Sequence, residues 1–198
     1  MEGAEKGMID EKMLMRRMKE NYRAGGYRVG TMMESGRELL AVSGGTWYAV
    51  LPLAAAGNDL KALIVLHTGA MPGRAVTVQK DSGVQLMMSG ELAKIRTDCL
   101  AGACGAKRCG RTPLLLGGYE IWQDGSGRCA LYDGALTDIF ALSDDETEQT
   151  MSESNLYLRD CEGELLVAAV ECRGHQGEML GHLSGYTWAE VNDETDCD

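Results

Sequence analysis

Tyr27-Arg-Val-Gly-Thr-Met-Met33, Glu34-Ser35-Gly36, Arg37-Glu-Leu-Leu-Ala-Val-Ser43, Gly44-Gly45 and Thr46-Trp-Tyr-Ala-Val-Leu-Pro-Leu53 follow one another without interruption. Three short runs rich in apolar, β-branched and aromatic residues are separated by tight turn formers, which reads as consecutive antiparallel hairpins. Residues 39–58 carry no charge over twenty positions, long enough to cross a bilayer. Ser43-Gly44-Gly45-Thr46 at their centre and Pro52 near their end make them two buried strands around a turn instead. No membrane span is expected.

Working outward, the same rhythm predicts strands at Leu60–His67, Arg74–Lys80 and Val84–Ser89. It resumes at Gly118–Gln123, Arg128–Tyr132, Leu136–Leu142, Asn155–Arg159 and Leu165–Cys172. Asp124-Gly125-Ser126-Gly127 and Glu162-Gly163 serve as turns. Strands do not alternate with helices, so a parallel nucleotide-binding sheet is not expected.

Upstream, residues 10–24 read as a helix that Asp10 caps and Gly25-Gly26 ends. Leu14, Met15, Met18 and Tyr22 form its apolar side, and Lys12, Arg16, Lys19 and Arg23 a separate basic stripe. A short helix is predicted over 90–100. A capping box at Ser143-Asp144-Asp145-Glu146 opens an acidic helix toward Ser154, and Thr187–Glu190 starts a last one.

The expected fold class is α+β, mainly antiparallel β. The N-terminal amphipathic helix packs on a β-meander of about eight to ten strands, sandwich-like or a partly open barrel. Residues 1–192 form a single domain: a helix at about 10–24, a sheet at about 27–172 and a small, cationic, cysteine-rich excursion at 97–113. Residues 193–198 are an acidic tail. At this length a domain buries roughly 70% of its unfolded surface and needs neither disulfide nor metal to fold.

The formal charge of −11 is unevenly distributed. Residues 1–99 hold 13 basic and 11 acidic side chains, a net of +2; residues 100–198 hold 6 and 19, a net of −13. An acidic surface repels phosphate and anionic membrane and attracts basic protein surfaces. Direct nucleic-acid binding is therefore confined, if anywhere, to the basic stripe of the first helix. Seven cysteines, an odd number, and an N-terminus without an apolar signal core point to a reducing, cytoplasmic setting.

Two functional readings follow. In the first, the chain is a non-enzymatic acidic interaction protein, in a concrete version an inhibitor that occupies a basic, nucleic-acid-binding groove. Asp144, Asp145, Glu146, Glu148, Glu153, Asp160, Glu162 and Glu164 carry that contact. No cofactor is required.

In the alternative, a small metal- or anion-binding enzyme or sensor uses the cysteine-rich loop. Cys99, Cys104, Cys109 and Cys129 would hold zinc or an iron–sulfur cluster, and Lys107, Arg108 and Arg111 an anion. The four-residue gaps are looser than the usual two-residue knuckle. Cys161, Cys172, His175 and His182 form a weaker ligand set. Ser184, in Gly181-His182-Leu183-Ser184-Gly185, lacks the first glycine of a nucleophile elbow.

Overall fold

The computed structural model describes residues 9–87, 106–142 and 147–188. Helix α1 (Glu11–Arg23) begins where Asp10 accepts hydrogen bonds from the N–H groups of Lys12 (2.9 Å) and Met13 (3.1 Å). It ends at Ala24, and Gly26 (φ +87°) turns the chain into the first strand. Leu14 and Met18, four residues apart, are fully buried. Removing each from water contributes roughly 2 kcal/mol. The predicted helix and its apolar side are therefore borne out.

The hairpins quoted first form β1 (Tyr27–Glu34), β2 (Arg37–Ser43) and β3 (Trp47–Pro52). Ser35 (φ +48°) and Gly36 (φ +79°) both have positive φ, as a type I′ turn requires. In the next turn, a Cβ on Gly44 would overlap the indole of Trp47 and the amide of Asn21, so this turn accepts only glycine without rearrangement.

The strand expected over Leu60–His67 is instead part of helix α2 (Asn58–Thr68). Its β-branched centre favoured a strand, but Leu60, Leu63 and Ile64 recur at helical spacing and all three are buried. Gly69 (φ +83°) closes the helix. β4 (Val76–Gln79) and β5 (Gly83–Leu86) follow.

In the second half, β6 (Lys107–Leu116), β7 (Tyr119–Asp124) and β8 (Cys129–Tyr132) form a second meander. The described part of the expected 97–113 excursion is thus a strand; residues 97–105 lie outside the described residues. Pro113 has no N–H, and the β6–β7 register shifts between Arg111 and Leu115. The Thr112 hydroxyl fills the gap, donating to the Ile121 carbonyl and accepting from Leu114 N–H.

Two further expectations are overturned. Leu136–Leu142 is not a strand: α3 (Gly134–Thr137), capped by Asp133, turns the chain, and Phe140 makes only an isolated bridge to Ile9. The acidic helix predicted toward Ser154 is replaced at Glu148–Met151 by strand β9, which pairs with both β6 and β10. β10 (Asn155–Arg159) and β11 (Glu164–Ala168) form the expected hairpin. The sequence reading did not anticipate α4 (His175–Leu183). Thr187 and Trp188 are not helical, and the expected helices at 90–100 and from 143 fall wholly or partly outside the described residues.

All strands join one antiparallel sheet in the order β5-β4-β1-β2-β3-β11-β10-β9-β6-β7-β8. The sheet does not close into a barrel. One face packs against α1, α2 and α3 around Leu14, Met18, Ile64, Trp122 and Phe140. At the far end of the opposite face, α4 lies on Ile121, Cys129 and Leu131. No helix among the described residues is long and apolar enough to cross a membrane.

Candidate functional site

Of the described acids proposed from sequence, four gather at one end of the sheet and one lies apart. Glu148 lies opposite Arg159, and Arg159 opposite Glu164, so these three stand in one cross-strand row. Arg159 and Glu164 form an ion pair at 3.7 Å. Asp160 and Glu162 lie in the adjoining β10–β11 turn. Within it the Asp160 carboxylate accepts from the N–H groups of Glu162 (2.9 Å) and Gly163 (2.6 Å). Asp160 therefore closes the turn as an Asx motif. Glu153 sits in the β9–β10 turn at the opposite end of the sheet, away from this group. Asp144, Asp145 and Glu146 lie outside the described residues.

The end of the sheet that holds Glu148, Glu162 and Glu164 also receives the β1–β2 turn, because β2, β3 and β11 pair side by side there. Glu34, Arg37 and Glu38 come with it, and all three are exposed. Between the β1–β2 and β10–β11 turns lies a cleft of about 450 Å³, lined by Glu34, Arg37, Val50, Arg159, Glu162 and Glu164 among others. A neighbouring apolar hollow of about 630 Å³, lined by Pro52, Leu53 and Met71, shares Arg37. The contribution of Glu34, Arg37 and Glu38 was not anticipated. Their signal was acids and a base flanking a two-residue turn, but what lies beside that turn is decided by non-local pairing.

The cysteine expectation is corrected by strand register. Cys109 lies opposite Asp124, whereas Cys129 lies opposite Gln123. Adjacent residues of a strand point to opposite faces. Cys109 therefore enters the core with Trp122 and Tyr132, and Cys129 enters the α4 side with Ile121 and Leu131. The two sulfurs do not face a common ion. Cys99 and Cys104 lie outside the described residues. Burial pushes the Cys109 thiol far up, with the Asp124 charge adding, and burial also raises Cys129.

Of the weaker ligand set, Cys161 is at the exposed tip of the β10–β11 turn, while Cys172 packs under α4 and donates to the Val170 carbonyl. No group of three or more His, Cys, Asp or Glu side chains among the described residues is placed to hold a metal. Ser184 donates to the Leu180 carbonyl (3.0 Å) and accepts from Cys129 N–H (3.2 Å), so it docks α4 on β8.

The three cations proposed for an anion do not converge on one face. Lys107, Arg108 and Arg111 belong to β6, whose amides serve the sheet, and Arg108 points to the face opposite the other two. Arg111 is ion-paired with the buried Glu120 and lies 3.8 Å from Asp138. Glu120 also accepts from the Thr137 hydroxyl (2.8 Å) and the Trp122 indole N–H (3.2 Å). This cluster ties α3 to β7.

Two more polar centres organise the fold. Asp124, buried in the β7–β8 turn, accepts from Ser126 N–H, the Ser126 hydroxyl, Arg128 N–H and the Arg128 guanidinium. Burial alone would raise its carboxyl, but these hydrogen bonds and the Arg128 charge together hold it below its usual range. His67 stacks on Tyr22 at 4.0 Å and its Nδ1 is 2.8 Å from the Tyr27 hydroxyl. Burial lowers His67, with the nearby Lys19 charge adding to the effect.

No family model matches the chain, and no curated protein matches it. Among solved structures, it is similar to a putative DNA polymerase III beta subunit from Eubacterium rectale, with 9% identity and a TM-score of 0.40. The match covers 85% of this chain and 65% of that one. The present chain thus spans about two thirds of that subunit.

Proposed function

We propose that the chain is a non-enzymatic interaction protein that sets the acidic end of its sheet against a basic partner surface, in the manner of a polyanion mimic that occupies a nucleic-acid-binding groove. The observation that carries this reading is the meeting of Glu34, Glu148, Glu162 and Glu164 at one end of the sheet, from three separate segments of chain. Arg37 and Arg159 only partly offset that charge. Contact of this kind is steered by charge and weakens with salt, since the screening length is about 10 Å at 0.1 M.

The test is binding of the whole protein to a polylysine peptide, and competition with single-stranded DNA for a basic DNA-binding protein. Binding should fall steeply between low and high salt. It should be lost when Glu34, Glu148 and Glu162 are reversed to Lys together, with the fold checked by circular dichroism. Binding that ignores both salt and charge reversal would sink the proposal.

A further inference from the structure

β5 is the outermost strand at one end of the sheet, and all four of its residues are exposed. Met87 N–H bonds to the Ala75 carbonyl, so the residues of β5 that bond to β4 are those in step with Met87, namely Gln85 and Gly83. The N–H and C=O groups of Val84 and Leu86 consequently point away from the sheet. Their side chains lie on the α2 side, opposite Val78 and Val76. Leu86 is 79% exposed and Val84 44%, and on the adjoining α2 Leu66 is 78% exposed. Among the described residues no partner takes these outward groups, and an edge that joins such groups to an apolar flank is a template for another strand.

The opposite edge of the sheet is covered. On β8, the Leu131 carbonyl accepts from Val170 N–H and Cys129 N–H donates to Ser184 Oγ. Head-to-tail joining of β5 to β8 is thereby blocked, and a symmetric contact of β5 with itself is left.

We infer that the β5 edge is the contact of a symmetric dimer, in which β5 pairs antiparallel with β5 of a second copy. The register follows from the outward groups. Val84 exchanges both backbone hydrogen bonds with Leu86 of the second copy, Leu86 does so with Val84 of the second copy, and Gln85 meets Gln85 of the second copy on the axis. Val84 and Leu86 then cover each other on the α2 side.

Charge selects a second copy as the occupant. β5 itself is uncharged and is preceded by one charge of each sign, Lys80 and Asp81. The strands nearest this edge, β4, β1, β2 and β3, come from the half of the chain with net +2, and β11 through β8 from the half with net −13. Joining at β5 brings the near-neutral halves together and holds the acidic halves furthest apart, which an approach by any other part of the sheet would not do.

The experiment is analytical ultracentrifugation of the full chain over a wide concentration range. A reversible dimer is expected. Val84→Pro removes an outward N–H without touching the β4–β5 ladder, and Leu86→Lys places a charge on the exposed flank. Each should shift the protein to monomer with an unchanged circular dichroism spectrum. In a Cys161→Ser background, Gln85→Cys should yield an oxidised covalent dimer that the same background retaining Gln85 does not form. In the proposed pairing the Cα atoms at this position lie ~4.5 Å apart, within disulfide reach.

A monomer at every attainable concentration overturns the inference, as does a dimer that both edge substitutions leave intact. A dimer dissolved by salt yet indifferent to Leu86→Lys also overturns it, because such a dimer is held by charges away from the β5 edge. These outcomes are independent of whether the acidic end binds a basic partner.

Discussion

The Glu11 carboxylate accepts a hydrogen bond from the backbone N–H of Gly57 at 2.7 Å, so a side chain of α1 caps the N-terminus of α2. Gly57 has no side chain to do this itself. A Cβ at Gly57 would meet Glu11 Oε2 at 2.6 Å, so the glycine makes room for the distant cap. Glu11→Ala should cost about 1 kcal/mol, the usual worth of an N-cap. Gly57→Ala should cost a comparable amount by displacing the same carboxylate, and the two losses should not add. Urea denaturation of the single and double variants measures both.

Neutral His67 fits its place between Tyr22 and Tyr27, while charging it near Lys19 is unfavourable. The folded protein therefore takes up this proton less readily than the unfolded chain, whose histidine titrates near 6.5. Stability from this site is complete above that pH and is lost as pH falls through the lower folded value. His67→Gln should flatten the decline in stability between neutral pH and about pH 5. Denaturant titrations at several pH values test it, and an unchanged slope would count against this account.

Asp124 gives a second, more acidic limb. Its carboxyl is held low in the folded state, so its contribution is present above the ordinary value of 3.8 and disappears as pH falls through the folded value. Asp124→Asn should be less stable than the parent at neutral pH. The gap should narrow in strong acid, which thermal melts at pH 7 and near pH 2 to 3 would reveal.

Arg111 and Glu120 form an ion pair in which the carboxylate is buried and the guanidinium half-exposed. Arg111→Ala leaves the carboxylate with its Thr137 and Trp122 donors but without its cation. The expected loss is about 2 kcal/mol, below the 3–5 kcal/mol of a fully buried pair because water reaches the arginine. Adding Glu120→Gln should recover part of it. A double-mutant cycle reads the coupling, and strict additivity would show that the pair contributes nothing.

Gln123 holds the chain after α4 in place. Its amide donates to the carbonyls of Gly127 (3.0 Å) and Tyr186 (2.6 Å), and its oxygen accepts from Trp188 N–H (2.7 Å). Gln123→Ala should cost about 2 kcal/mol, as several such bonds are lost together. Proteolysis near Tyr186 and Trp188 should speed up before the core unfolds. Cleavage no faster than in the parent would show that the anchor lies elsewhere.

What was legible locally and what was not can be read from particular elements. β2 and β10 coincide with the ranges read from the sequence, because short apolar runs and flanking turns both marked them. α2 was misread since Leu60–His67 satisfies a strand by composition and a helix by spacing, and only the burial of Leu60, Leu63 and Ile64 in the common core separates the two. α4 was missed because Gly177 and Gly181 weaken it and none of its residues is fully buried. Its support comes from Leu180 and Leu183 against Ile121 and Leu131.

The sequence alone determined the antiparallel β character, the capped and amphipathic α1, the turns and the division of charge along the chain. These are local properties, set by backbone sterics, side-chain period and composition. Only the tertiary structure decided that Cys109 and Cys129 face opposite sides of the sheet, that Glu34 meets Glu162 and Glu164 across a cleft, and that Val84 and Leu86 form an open edge. The reason is register. Pairing between distant strands sets which residues share a face and an end, and a shift of one position would move every side chain of a strand to the other face.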